Sequence, residues 1–127
     1  MKTSYFANMK NITNPVAICG WVPKFYTGPR YMKLAPKKEW FFKWKELKNS
    51  GKYTDEEMEK AYIDLYNRTV LSFLDPNDVW NDLCAIYPDA SSDDITLICY
   101  EKPDDFCHRH LVSKWLREAG FDIEEFK

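Results

Sequence analysis

Two hydrophobic periods divide the chain. Short continuous apolar runs lie near its start and before its last quarter, and helical spacing fills the stretches between and after them. The segments "TSYF" and "NPVAICGW" predict two early strands; Pro15 marks the start of the second, and Val16–Cys19 is a run of buried-strand type. Residues 95–100, "ITLICY", are apolar apart from Thr96 and predict a central strand covered on both faces. Between these runs the period changes. Trp40, Phe41, Trp44 and Leu47 share one face of a helix over about 38–49, and Gly51 ends it. Thr54 and Glu57 form a capping box that opens a helix to about Leu74, with Met58, Ala61, Tyr62, Leu65, Thr69 and Phe73 as its expected buried stripe. Pro76 suits the first turn of a third helix, to about residue 87, lined by Val79, Trp80, Leu83 and Ile86. A fourth runs from about Phe106 to Ala119, with Gly120 just beyond it, and "FDIEEF" alternates like a short edge strand.

Strands separated by helices predict a parallel α/β sheet in a single domain spanning 1–127. Ligands of such sheets bind beyond the carboxyl ends of the strands. The two loops delivered there are the one after Cys19 and the one after Tyr100. The first, 21–37, holds three prolines and a glycine and has no helical period. Long loops of this kind are often functional.

Composition narrows the class. Aromatics make up 17% of the chain, too many for a disordered one. No run reaches the ~20 apolar residues of a membrane span, and the N-terminal stretch lacks the apolar core of a signal peptide. The expectation is a cytoplasmic protein whose four cysteines are free thiols. Net charge is −2, but residues 21–52 carry nine Lys/Arg against two acids, and residues 53–127 carry seven against eighteen. That asymmetry points to a localised basic surface.

The chemistry-bearing stretch is "LICYEKPDDFCHRHLVSKWL", residues 97–116. Cys107 falls at a helix start beside His108 and Arg109, where a thiol is acidified and becomes a candidate nucleophile. Glu101 and His108 are acid/base candidates. Arg109, with the free N–H groups of the helix start, is the candidate anion ligand, although an ion pair with Glu101, Asp104 or Asp105 explains it equally well. His108 shares a face with Leu111, Val112, Trp115 and Ala119, and lies about 200° from His110, so the two cannot hold one ion together. His110 is read as exposed. A zinc site would require Cys107 and Cys99 plus two further ligands; no metal and no cofactor is assigned. In 21–31, Trp21, Lys24, Phe25, Tyr26 and Arg30 mix bases with aromatics. That pattern suits a phosphate-bearing small molecule or a single nucleic-acid strand, by charge and by stacking. The aromatics and lysines of 38–49 fit an ordinary amphipathic helix.

The same stretch resembles the signature of the family called domain of unknown function 488: a strand ending in C-x-E (Cys99, Glu101), five residues, then C-H-R opening a helix (Cys107, His108, Arg109). "TSYFANMKNI", "VAICGWVPKFY" and "YMKLAP" are similar to a compact phage and bacterial subgroup. The resemblance implies that 99–109 is a site. One departure stands out: many relatives end the early strand in an arginine, where this chain has Gly20, with Lys24 or Arg30 as replacements. The expected fold is α/β, a small three-layer Rossmann-like domain with a mostly parallel sheet of three to five short strands. The expected function is a phosphate- or nucleotide-type ligand site at 99–109, with or without catalysis. The alternative is a non-catalytic interaction module in which C-H-R is structural.

Overall fold

The computed structural model describes all of residues 1–127. Four strands, β1 (Lys2–Tyr5), β2 (Asn14–Ala17), β3 (Ile95–Cys99) and β4 (Glu124–Glu125), form one all-parallel sheet in the order β2-β3-β1-β4. β3 lies inside the sheet with its five residues all buried, Thr96 being the one polar residue among them. The register sets Tyr5 beside Cys99 and Ala17 beside Ile98, so β1, β2 and β3 end level along one edge.

Four α-helices connect the strands: α1 (Lys38–Asn49), α2 (Asp55–Thr69), α3 (Pro76–Ile86) and α4 (His108–Glu118). Thr54 and Glu57 make the reciprocal capping box. Asp75 caps α3 through the N–H groups of Asn77 and Asp78, with Pro76 in the first turn. Gly120, at φ +96°, takes the left-handed conformation that ends α4.

The alternation of β2 and β3 builds two cores. Val16, Ile18, Ile95 and Leu97 meet Tyr66, Leu83, Val112 and Leu116 from the helices. On the other side Ala17, Cys19 and Ile98 pack with Phe6 and Tyr26, carried by the 3-10 turn Phe6–Asn11 and the following loop. The result is a small three-layer Rossmann-like α/β domain. None of its helices is long and apolar enough to cross a membrane.

One expected stripe is corrected. α2 buries Met58, Tyr62 and Tyr66, while Ala61 and Phe73 are exposed, Phe73 at 80%. The α-helix stops at Thr69, and the 3-10 turn Leu71–Phe73 changes the phase from 3.6 to 3.0 residues per turn, burying Leu71 and turning Phe73 outward.

Candidate functional site

The loops that leave β2 and β3 open onto a cleft of about 690 Å³. Its floor is Cys19, Cys99, Cys107 and His108, all buried. Each arrives by a different element. Cys19 follows β2, Cys99 ends β3, Cys107 is the residue before α4 in extended conformation (φ −152°, ψ 147°), and His108 is the first residue of α4. Its walls are aromatic: Trp21 from the β2 loop, Phe41, Phe42 and Trp44 from α1, Tyr62 from α2, and Phe106. Trp21 and Phe42 face one another at 6.3 Å between ring centroids, and the Lys38 ammonium lies 5.6 Å above the Trp21 ring. Lys37, Lys38, Lys45 and Lys48 also line the cleft, so its rim is basic.

His108 is held on two sides. Its ring stacks on Tyr66 at 5.5 Å, and the Tyr66 hydroxyl donates to the Leu34 carbonyl at 2.6 Å. Nε2 lies 2.7 Å from the Ile18 carbonyl oxygen. A carbonyl only accepts, so Nε2 carries the hydrogen, and Nδ1 faces the sulfurs. Nδ1 is 3.7 Å from the Cys99 sulfur and 3.9 Å from that of Cys107, and the three atoms lie within 4.8 Å of one another.

The electrostatics of this floor are coupled. Burial alone would push the Cys107 thiol up, but hydrogen bonds from Cys99 and His108 and the charge on the imidazole outweigh it and hold Cys107 well below the usual thiol range. Burial likewise depresses His108, yet its contact with the Cys107 sulfur leaves it raised. Cys99 is pushed well above the usual range, first by donating to Cys107, then to Cys19, then by burial. Cys19 is lowered, chiefly by its hydrogen bond from Cys99. The floor therefore sets a thiol held below its usual range beside an imidazole raised above its own, with the Cys99 thiol donating to the first. It can serve as nucleophile with acid/base, or as a set of soft ligands for a cation. All four cysteines are free.

The residues singled out in the sequence divide sharply. Glu101, Cys107, His108 and Trp21 line the cleft. Arg109 does not. It is fully buried, with Nε and Nη2 donating to the two carboxylate oxygens of Glu125 at 3.1 and 2.8 Å and its guanidinium 6.0 Å over the Tyr5 ring. The reason is helical geometry: one residue turns the side chain about 100°, which takes Arg109 away from the cleft. Its acid partner is on β4, not in the 101–105 loop.

The aromatic loop is corrected in the same way. Tyr26 is buried, and its hydroxyl donates to the Pro29 carbonyl and accepts from Ala17 N–H at 3.2 Å. It pins the loop and does not line the cleft. Gly28 has no room for a side chain, since a Cβ there would stand 2.7 Å from the Tyr26 hydroxyl oxygen. Phe25, 63% exposed, leans on Phe6, and Lys24 is exposed outside the cleft. Arg30 Nη2 donates to the Gly20 carbonyl at 2.7 Å, so it fastens the loop after β2. His110 is half-buried, and its Nε2 has no hydrogen-bond partner.

Sequence reasoning missed the contribution of α1. Trp40, Phe41, Trp44 and Leu47 do pack inward as the period predicts, but the helix lies over the cleft, so Phe42 and the lysines of its other positions become the wall. The charge asymmetry of residues 21–52 was the available signal.

In open α/β sheets ligands bind beyond the carboxyl ends of the strands, the edge on which this cleft lies. The family model DUF488-N3a, described as the active DUF488-N3 subclade, matches residues 22–120. The chain belongs to this family. Gly20 lies outside the matched range. No curated protein and no solved structure matches the chain.

Proposed function

We propose that the chain binds a phosphate-bearing aromatic ligand, a nucleotide or a short single strand of nucleic acid, in this cleft and brings its reacting end to the Cys99–Cys107–His108 floor. The observation that carries the reading is the composition of the walls: aromatic rings directly beside Lys37, Lys38, Lys45 and Lys48, above buried nucleophilic groups. Rings supply base stacking and lysines supply phosphate attraction. The anion ligand is thus the α1 side of the cleft in place of Arg109. Glu101, Cys107 and His108 remain the groups that would do chemistry there, and the word "active" in the subclade's description agrees with that.

The test is a thermal-shift screen of nucleotides and short oligonucleotides. A ligand at 100 times its Kd stabilises by about 2.7 kcal/mol. The reading predicts such a shift, and its loss on combining Lys38→Ala with Lys45→Ala. No shift with any phosphate-bearing ligand would overturn it.

The interaction-module reading keeps one specific support. Trp21 and Phe25 are 58% and 63% exposed, and Arg109 of the C-H-R motif braces the fold. A partner protein seated on Trp21 and Phe25, with no small ligand bound, is what that reading predicts.

A further inference from the structure

The floor of the cleft has three donor atoms converging on one point. Tetrahedral zinc bonds of about 2.3 Å to sulfur and about 2.0 Å to nitrogen place neighbouring ligand atoms about 3.5–3.8 Å apart. The distances from His108 Nδ1 to the Cys99 and Cys107 sulfurs are 3.7 and 3.9 Å. The third edge, between the sulfurs, falls within the 4.8 Å that encloses the trio. The ring is also set as a metal-binding imidazole is set: Nε2–H is spent on the Ile18 carbonyl, which leaves Nδ1 facing the sulfurs. Stacking on Tyr66 holds the ring plane. Cys19 lies close by, but its thiol donates to the Trp21 carbonyl at 2.8 Å and it stands outside the trio.

We propose that Cys99, Cys107 and His108 bind one zinc ion, with the fourth position open to the cleft. Two thiolates and an imidazole are a soft donor set that selects zinc over magnesium or calcium. Three protein ligands with a vacant fourth position are the catalytic form of a zinc site; a closed structural site uses four. On binding, the ion exchanges water for two sulfurs and one nitrogen, and every proton still carried by either thiol or by His108 Nδ1 is released to solvent. The proposal rests on the cleft being the ligand site for what the open position does: it would take a water or an oxygen or nitrogen atom of the cleft ligand. From sequence, a zinc site requires two ligands beyond Cys99 and Cys107, and His108 and His110 cannot hold one ion together. The structure needs no His110, because the end of β3 and the start of α4 bring all three donors together.

The test titrates cobalt(II), then zinc(II), into the full chain after reduction and chelator treatment. The expected result is saturation at one ion per chain, with the intense visible absorption of tetrahedral cobalt and a thiolate charge-transfer band, both erased by zinc. Cys99→Ser, Cys107→Ser and His108→Gln should each weaken binding by more than the roughly 10–100-fold that loss of an outer-shell partner costs. Cys84→Ser, on α3 away from the cleft, should leave it unchanged. A weak octahedral spectrum without charge transfer in the wild-type chain overturns the proposal, and so does full tetrahedral binding by Cys107→Ser. The nucleotide screen run on stripped and zinc-loaded protein separates the two readings. A tetrahedral cobalt spectrum with no nucleotide shift overturns the cleft function alone; a nucleotide shift with no cobalt site overturns the zinc site alone.

Discussion

His108 and Arg109 are neighbours in sequence, fully buried or nearly so, and serve opposite sides of the molecule. His108 faces the cleft, where its polar partners are sulfurs and one carbonyl. Arg109 faces β4, where it meets Glu125 through two hydrogen bonds, and Thr3 Oγ1 donates to the same carboxylate at 2.6 Å. The second arrangement spends Nε and Nη2 of Arg109 and the Thr3 hydroxyl on holding the edge strand, and leaves Arg109 Nη1 buried without a partner. The first leaves His108 Nδ1 and two sulfurs at the floor of an opening. A motif read as one site, C-H-R, is therefore a reactive half and a bracing half, split by the turn of one helical residue.

The largest effect should come from breaking the brace. Glu125→Ala strands a guanidinium with no exposure, and chemical denaturation should show a loss of about 3–5 kcal/mol. Replacing the pair together, Arg109→Met with Glu125→Leu, should recover most of that loss, because a well-packed apolar pair needs no desolvation of charge. Nucleotide-induced stabilisation should survive in the double variant. A loss below about 1 kcal/mol for Glu125→Ala would dissolve the distinction between the halves.

Breaking the reactive half should cost less stability. His108→Ala leaves the Ile18 carbonyl without its donor and removes the stack on Tyr66, for about 1–3 kcal/mol in the same measurement. If it cost more than Glu125→Ala, the histidine would be the stronger structural element and the comparison would invert.

Tyr26 extends the comparison to pH. Burial pushes its hydroxyl up to about 12, against about 10 in the unfolded chain. A raised folded value means that the folded state keeps a proton the unfolded state has lost. Its contribution is fully present below about pH 10 and is lost as pH rises through about 12. Tyr26→Phe should flatten the decline of melting temperature between those values; an unchanged slope would mean the hydroxyl does not pin the loop. The smallest effect on stability belongs to the cleft rim. Lys38→Ala with Lys45→Ala should change stability by less than about 0.5 kcal/mol. Lys38→Ala alone should also reduce the salt dependence of single-strand binding by about 0.7, read from affinity against salt concentration.

Much of the fold was legible because local signals agreed with the packing. The capping box at Thr54, Pro76 in a first turn and the apolar run 95–99 each specify one element, and each element forms there. The site was legible only in part. Cys107 and His108 could be placed at a helix start, but which way Arg109 points depends on β4, two residues long and sixteen residues away. Spacing within the motif carries no trace of that contact. Tyr26 had the same difficulty: an aromatic in a basic loop reads as ligand cover until Pro29 and Ala17 are seen to occupy its hydroxyl. The lysines of α1 were dismissed as the wet face of a helix, which they are, but the helix lies over the cleft and its wet face is the wall.

The most direct test of the divided motif is a nitrogen-proton correlation spectrum of the labelled chain titrated with a nucleotide or a short single strand. Of the five tryptophans, Trp21 and Trp44 line the cleft, whereas Trp40, Trp80 and Trp115 do not. The account predicts that the indole signals of Trp21 and Trp44 move with saturation while those of Trp80 and Trp115 and the Arg109 Nε–H stay fixed. Movement of the Arg109 signal with Trp21 and Trp44 unmoved would contradict it.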